Sequence, residues 1–280
     1  MKKSILLWLI AFVLTVFTAV YQRMTGPTYP ASGEVTIAGK LIEYKLDRTH
    51  GGEGDHLIEI SVDDETICGE LLWKRYKTDE EFTSVELVRE DGKLTASLPH
   101  QLPAGKLVYH IILQNDEEVV TIPANSEVIF RFKGDVPISF LIPHIIFIFG
   151  AMLLSTRTGL EYFNEGKKFK TFTILTFIFV IIGGFIFGPI VQKYAFGAFW
   201  TGFPFGHDLT DNKILIGFIG WLIALIALYK FKNPKRWIVF ASILMLIIFL
   251  IPHSLLGSEV DYDKLDKNKI ENEIQPLPSD

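Results

Sequence analysis

The chain has 280 residues, of which 49% are hydrophobic and 21% charged, and its formal net charge at pH 7 is −5. This composition is too apolar for an ordinary soluble protein and too charged for a chain buried entirely in a bilayer, so it predicts membrane helices combined with a polar domain. The acidic balance argues against a nucleic-acid partner, and the single cysteine, Cys68, excludes an internal disulfide.

The N-terminal stretch is apolar over residues 5–21 and is preceded by Lys2 and Lys3. A basic start followed by an apolar run is typical of a signal peptide or a signal anchor. The end of the run is a poor small-x-small cleavage site, and the run is close to the roughly 17–25 residues that cross a bilayer. We therefore predict an uncleaved transmembrane anchor over residues 1–21, with the following segment exported.

Over residues 22–135 the hydrophobic period changes to two. At least seven short alternating runs follow one another, with turn signals such as Asp91-Gly92 between them. This spacing predicts an antiparallel β-sandwich. Histidines are scattered through the region and are expected to be solvated or to lie in loops. They are His50, His56, His100 and His110.

Residues 91–99 and 104–109 are similar to the turn-and-strand pattern of immunoglobulin-like and fibronectin-like modules. The resemblance covers only part of the predicted domain. It implies an immunoglobulin-like fold for the sandwich and implies nothing about activity.

From residue 136 the chain becomes strongly apolar, and four more candidate spans follow. They lie at residues 138–163, 171–190, 214–229 and 237–251. The first of these helices is expected to have Pro143 in its first turn, where a missing N–H costs nothing. With the anchor this gives five transmembrane helices, of which the last four form a domain over residues 136–256. Residues 257–280 are polar and are predicted to be a flexible tail.

Three segments rich in lysine and arginine fix the predicted orientation. They are residues 2–3, 157–170 and 230–236, and all fall on one side of a five-span topology. The opposite connections carry few basic residues, so the positive-inside rule places the N-terminus in the cytoplasm. We predict a multi-pass protein of a bacterial inner (plasma) membrane, with the β-domain, an aromatic loop at residues 194–211 and the C-terminal tail outside.

The pentapeptide FLIPH occurs at residues 140–144 and again at residues 249–253. On the predicted topology His144 and His253 approach the outer face, where the loop pair His207-Asp208 also lies. These four residues form a suitable ligand set for copper or zinc. Alternatively, His144 and His253 are axial ligands of a b-type haem.

A purely structural interpretation stands beside the ligand site. Interfacial histidines hydrogen-bond water, headgroups or the carbonyls that prolines leave free, and Asp208 and Asp211 are well placed to cap the next helix. The aromatic residues of the outer loop are then typical of an interfacial belt. They could also line a hydrophobic pocket above the histidines.

No familiar catalytic motif occurs in the sequence: it has no phosphate-binding glycine loop, nucleophile elbow or HExxH. No catalytic residue is therefore assigned, and whether the chain is an enzyme stays open. No acidic or basic residue lies in the middle of a predicted span, which disfavours an ion or proton pathway.

Two hypotheses remain. One is an accessory or structural membrane protein whose sandwich docks an envelope partner through residues 31–133. The other is a metal or haem protein with redox or metal-handling chemistry.

Overall fold

The structure is a computed structural model that describes residues 2–252 and 257–274, with side chains as far as residue 268. The chain divides into two compact units. A helical unit comprises Met1–Pro27 and Val136–Ser258, and a β-rich unit comprises Thr28–Asp135 and Glu259–Asp280. The chain therefore passes between the units after Pro27, after Asp135 and after Ser258.

Six α-helices make up the described part of the helical unit. They are α1 (Lys2–Met24), α2 (Ile138–Leu160), α3 (Phe169–Val180), α4 (Gly188–Phe196), α5 (Leu209–Lys230) and α6 (Pro234–Leu250). A 3-10 turn, Glu161–Asn164, extends α2, and a π-helical segment, Ile181–Phe187, joins α3 to α4. The helix α2 begins at Ile138, so the prediction that Pro143 lies in its first turn is wrong. Pro143 lies inside the helix, where it cannot donate to the carbonyl four residues earlier.

Four of the described helices are long and apolar enough to cross a membrane. They are Lys2–Met24, Ile138–Asn164, Phe169–Phe196 and Leu209–Lys230. The predicted combination of membrane-length helices with a β-rich region is therefore confirmed. The remaining long helix of this unit, α6, has 17 residues, which is at the lower limit of about 17–25 residues for a span.

The helix ends gather at two ends of the helical unit. At the first, here called the basic end, Arg157 near the end of α2 donates to Ser4 of α1 (3.3 Å), and Lys235 of α6 lies 3.5 Å from the carbonyl of Glu165, just before α3. At the second end Gln22 of α1 donates to the carbonyls of Phe249, in the last turn of α6, and of Ile251, just after it. Successive helices thus run in alternating directions.

A buried ion pair lies at the basic end. The Nη1 atom of Arg157 is 2.7 Å from Oε2 of Glu161, and both side chains have no exposed surface. The guanidinium lies 5.5 Å from the ring centre of Trp8 on α1 and 5.0 Å from that of Phe172 on α3. The sequence counts Arg157 only among the basic residues of segment 157–170, whereas in the structure the residue belongs to α2 and also contacts side chains of α1 and α3.

We expect Arg157→Ala to destabilise the helical unit by about 3–5 kcal/mol, because Glu161 would be left as an unpaired buried charge. Thermal unfolding in detergent measures this loss. The double variant Arg157→Met with Glu161→Leu should recover most of the lost stability, since no buried charge remains. Lys167→Ala is the control, because its ion pair with Glu165 is solvent-exposed. An equal loss in the control would contradict the assignment.

The β-rich unit has eleven strands in its described part. They are β1 (Ala31–Ile37), β2 (Lys40–Leu46), β3 (Thr49–Gly51), β4 (His56–Ser61), β5 (Cys68–Arg75), β6 (Thr83–Glu86), β7 (Val88–Glu90), β8 (Lys93–Leu98), β9 (Lys106–Gln114), β10 (Val119–Ile122) and β11 (Val128–Lys133). The larger sheet has the order β3-β11-β9-β5-β6, with β10 also on β9, and the smaller has the order β4-β8-β7. Strands β1 and β2 form a separate hairpin.

Alternating side chains from these sheets form one hydrophobic core. Ile58 and Ile60 of β4 are buried, whereas Leu57 and Glu59, which alternate with them along the strand, are exposed. Leu71, Tyr109 and Ile111 join the same core from the larger sheet, and Ile42 and Leu46 join it from the hairpin. Such one-sided burial from facing sheets is consistent with a β-sandwich.

The C-terminal segment belongs to this unit and contains the helix α7 (Tyr262–Ile274). Tyr262 is buried, and its hydroxyl donates to Gln101 and to the carbonyl of Lys106 (3.1 and 3.2 Å). Asp266 pairs with Arg75 at 2.6 Å, and Glu259 pairs with Lys106 at 2.8 Å. The segment predicted to be a flexible tail is instead held on the β-rich unit from Glu259 to Asp266.

Two of the scattered histidines lie on strands β3 and β4, are half-buried and contact each other. The ring centres of His50 and His56 are 5.3 Å apart, and that of His56 is 4.5 Å from Phe130 of the core. Burial lowers the pKa of His56, and the neighbouring His50 lowers it further. These residues are packed, so the expectation of solvated loop histidines is wrong for them.

Candidate functional site at the aromatic-loop end

The second end of the helical unit carries the loop of residues 197–208, here called the aromatic loop. It is shorter than the predicted 194–211 because α4 continues to Phe196 and α5 begins at Leu209. It begins at Gly197, whose φ of 84° ends α4 in the left-handed region that glycine adopts without strain. It ends at Asp208, whose Oδ1 accepts from the backbone N–H of Thr210 at 2.7 Å. Asp208 is therefore the N-cap of α5, as its position before the helix predicts.

Asp211 holds the middle of the aromatic loop against the first turn of α5. Its Oδ2 accepts from the backbone N–H groups of Thr201 (2.6 Å) and Gly202 (3.0 Å) and from the side chain of Gln192 (3.0 Å). The neighbouring Asn212 accepts from the N–H of Phe203 at 2.7 Å. Because Asp211 is only 5% exposed, these donors replace the water that a carboxylate otherwise requires.

Asp208 joins the aromatic loop to the chain beyond α6. Its Oδ2 accepts from the N–H and the hydroxyl of Ser258, both at 2.8 Å, and from the hydroxyl of Thr201 at 3.2 Å. Burial alone would raise the pKa of Asp208, but the hydrogen bonds from Ser258 and Thr210 outweigh it and hold the pKa below its ordinary value. The carboxylate is thus an anionic acceptor with both oxygens engaged.

Lys213 stabilises the end of α6. It is 4% exposed, and its ammonium donates to the carbonyls of Ile251 (2.8 Å) and Pro252 (3.4 Å). The last carbonyls of a helix lack backbone partners and carry the negative end of its dipole, so a buried cation there is favourable. In the sequence Lys213 is one of the few basic residues between the third and fourth predicted spans. Its role is not visible there because its partners are 38 and 39 residues away.

His144 is oriented by the π-helical segment. Its Nδ1 lies 2.9 Å from the carbonyl oxygen of Gly183, which also accepts from the segment's C-cap, Gly188. A carbonyl only accepts, so Nδ1 carries the proton and Nε2 of the neutral ring presents a lone pair. A Cβ on Gly183 would lie 2.9 Å from the backbone nitrogen of Ile148, so glycine here allows the close approach of α2.

The predicted metal ligands have separate partners in the structure. His144 contacts Gly183, and Asp208 contacts Thr201, Thr210 and Ser258. His207 lies beside Asp208 in the aromatic loop and is exposed. Within residues 2–252 and 257–274 no group of three or more His, Cys, Asp or Glu side chains is arranged to hold a metal ion. His253 lies outside the described residues, so the complete four-residue site stays a prediction.

The aromatic loop also presents a large apolar surface. The exposed fractions of Phe199, Phe203 and Phe205 are 57%, 68% and 83%. Trp200 is turned inward by comparison: it stacks on Phe185 at 5.7 Å and donates to the carbonyl of Phe203. The loop is therefore firmly held by its polar side and exposes its apolar side.

Comparison of the chain with protein-family models and with curated proteins finds no match. The function is therefore argued from this geometry and from the two units.

We expect Asp211→Leu to loosen the aromatic loop, because the N–H groups of Thr201 and Gly202 would lose their acceptor. Each buried donor left unpaired costs about 1–3 kcal/mol. Hydrogen exchange of residues 197–208 should accelerate, while the middle of α2 keeps its protection. Asp116→Leu, at an exposed position, is the control. Unchanged exchange in Asp211→Leu would show that the carboxylate does not hold the loop.

Proposed function

We propose that the chain is an integral membrane accessory protein that crosses the bilayer five times. Its immunoglobulin-like domain lies outside the cytoplasm and docks a protein partner of the bacterial envelope. The helical unit is the membrane support in this proposal, and the β-rich unit is the recognition module.

The arrangement of helix ends supports five spans. Helices α1, α2, the α3–α4 rod, α5 and α6 alternate in direction between the basic end and the aromatic-loop end. A 17-residue α6 that begins at one end and finishes at the other meets the length of about 17 residues that the thinnest crossing requires. The exposed phenylalanines of the aromatic loop suit contact with the lipid interface.

The charge distribution supports the orientation. The basic end carries Lys2 and Lys3 together with the lysines around the start of α3 and the start of α6. The positive-inside rule places this end in the cytoplasm of an inner membrane. The three connections to the β-rich unit leave from the end of α1, the start of α2 and the segment after α6. All three then lie on the outer side, with the β-rich unit.

The strand order supports the immunoglobulin-like assignment. Variable-type immunoglobulin domains place strands B, E and D in one sheet and G, F, C and C′ in the other. The smaller sheet here, β4-β8-β7, matches the first set, and the run β11-β9-β5-β6 matches the second. The β1–β2 hairpin then takes the place of the first strand.

Docking is assigned to the β-rich unit because of one observation about the helical unit. The buried ionisable residues of the helices bind other parts of that unit and so hold the helices together. Arg157 pairs with Glu161, and Lys213 caps α6. Ionisable groups at membrane depth usually mark transport or relay sites, but these have structural partners. The β-rich unit, in contrast, is joined to its own C-terminal segment by ion pairs, and its strands expose charged side chains such as Glu34, Glu43 and Glu59.

The test uses Cys68, which is exposed, as the attachment point of a membrane-impermeant maleimide with a photo-reactive arm. We expect labelling in spheroplasts without permeabilisation, and one recurrent partner band after illumination, identified by mass spectrometry. Cys68→Ser is the control for both readouts. Deletion of residues 31–133 should abolish co-purification of that partner. Labelling that requires permeabilisation would contradict the orientation, and the absence of a recurrent partner would contradict docking.

A second function, binding of copper, zinc or a b-type haem, is favoured by the orientation of His144. Histidine ligands commonly donate one ring N–H to a backbone carbonyl and bind metal through the other nitrogen, and His144 donates from Nδ1 to Gly183.

Metal analysis and an optical spectrum of the purified protein test this alternative. Binding predicts stoichiometric metal or a Soret band that is lost in His144→Ala with His253→Ala. Gln192→Ala is a control at the same end of the unit. Substoichiometric metal without a Soret band, or unchanged loading in the double variant, would exclude it.

A further inference from the structure

A cleft of about 570 Å³ opens on the β-rich unit between the β1–β2 hairpin and strand β4. Glu34, Glu43 and Lys45 line it from the hairpin, and Glu59 and Lys93 line it from β4 and β8. Its volume is in the range of about 300–1,000 Å³ that is usual for ligand sites. Its walls are mainly polar and charged, so its occupant must be polar as well.

Two strand edges border this cleft. Among the described strands, β2 pairs only with β1, and β4 pairs only with β8. The hairpin is nevertheless held beside β4 at both of its ends: Lys40 pairs with Asp64 at 2.9 Å, and Asp47 lies 3.9 Å from His56. Unpaired strand edges are templates for an added strand, whose main-chain hydrogen bonds supply affinity.

The charges of the cleft indicate what such a strand must carry. Glu34 and Glu43 are directly opposite each other in the register of the hairpin, and both are exposed. Like charges in this position are destabilising. Lys93 already pairs with Glu59 at 3.2 Å, and Lys45 faces Ser32. A cation supplied from outside would relieve the repulsion between Glu34 and Glu43.

We propose that this cleft binds an extended segment of the envelope partner. A lysine or arginine of that segment lies between Glu34 and Glu43, and its backbone pairs with the open strand edge at the cleft. The inference rests on the docking function proposed above and names the surface and the chemistry of the docked segment. All the lining residues that carry it lie within residues 31–133.

The test uses the full-length protein in lipid nanodiscs and a fluorescent eight-residue peptide of alternating lysine and valine. Anisotropy should show binding at least ten-fold tighter than that of the matched glutamate–valine peptide. Hydrogen exchange should slow in β2 or β4 when the lysine peptide is bound. A lysine–proline peptide, which lacks half of the backbone donors, should bind at least ten-fold more weakly than the lysine–valine peptide.

Glu34→Gln with Glu43→Gln should weaken binding of the lysine–valine peptide at least ten-fold, while the midpoint of thermal unfolding stays equal or rises because a repulsion is removed. Glu70→Gln with Glu86→Gln is the matched control, since these glutamates are also directly opposite, on β5 and β6, and do not line the cleft. This control should bind like the unaltered protein.

Three results would overturn the proposal. They are equal weakening in both double variants, protection of β6 or β7 instead of β2 or β4, and equal binding of the lysine–valine and glutamate–valine peptides. A partner that still crosslinks to Cys68 in Glu34→Gln with Glu43→Gln would reject the cleft and leave the docking function standing. Loss of that crosslink in Glu34→Gln with Glu43→Gln, but not in Glu70→Gln with Glu86→Gln, would support both the cleft and the docking function.

Discussion

The helical unit depends on one constraint: a polar group in an apolar environment must find its partner within the protein. The two ends satisfy it in different ways. At the basic end a fully buried arginine and glutamate neutralise each other between aromatic rings. At the other end Lys213 and Gln22 bind the carbonyl of Ile251 after α6. There Asp208 accepts from the first turn of α5, and Asp211 accepts from N–H groups of the aromatic loop. The same side chains that satisfy the constraint fix the order and direction of the helices.

This constraint also explains why the two copies of FLIPH differ in their surroundings. The first lies near the start of α2, where His144 reaches the carbonyl of Gly183 in the π-helical segment. The second begins in the last turn of α6, which ends at Leu250, and the carbonyls there lack helical partners because the helix stops. Gln22 and Lys213 bind those carbonyls. Identical letters therefore have different partners, since one copy opens a helix and the other closes one.

Features set by residues close together in the sequence are predicted correctly, whereas features set by residues far apart in the sequence are missed. One of the alternating runs in residues 22–135, at residues 57–62, predicts β4 to within a residue of its bounds, because side-chain alternation is local. Asp208 as a helix cap is equally local. The C-terminal segment is missed because Glu259 finds Lys77 and Lys106 at separations of 182 and 153 residues. Ser258 reaches Asp208 over 50 residues, and no periodicity carries that information. The π-helical segment is also missed, since its glycines equally suit ordinary close packing of helices.

The two units differ in how their charged side chains are paired. In the helices each buried charge discussed above has a partner, and the pairing stabilises the structure. On the β1–β2 hairpin two glutamates oppose each other at a cost in stability. Binding sites commonly keep locally unfavourable arrangements, such as opposed like charges, and the lost folding stability is offset by interactions elsewhere in the protein. The hairpin can carry this cost because Ile37, Ile42 and Leu46 anchor its other face in the core. Glu34 and Glu43 are therefore held close together beside an open strand edge. A cationic side chain of a partner would interact favourably with both carboxylates there.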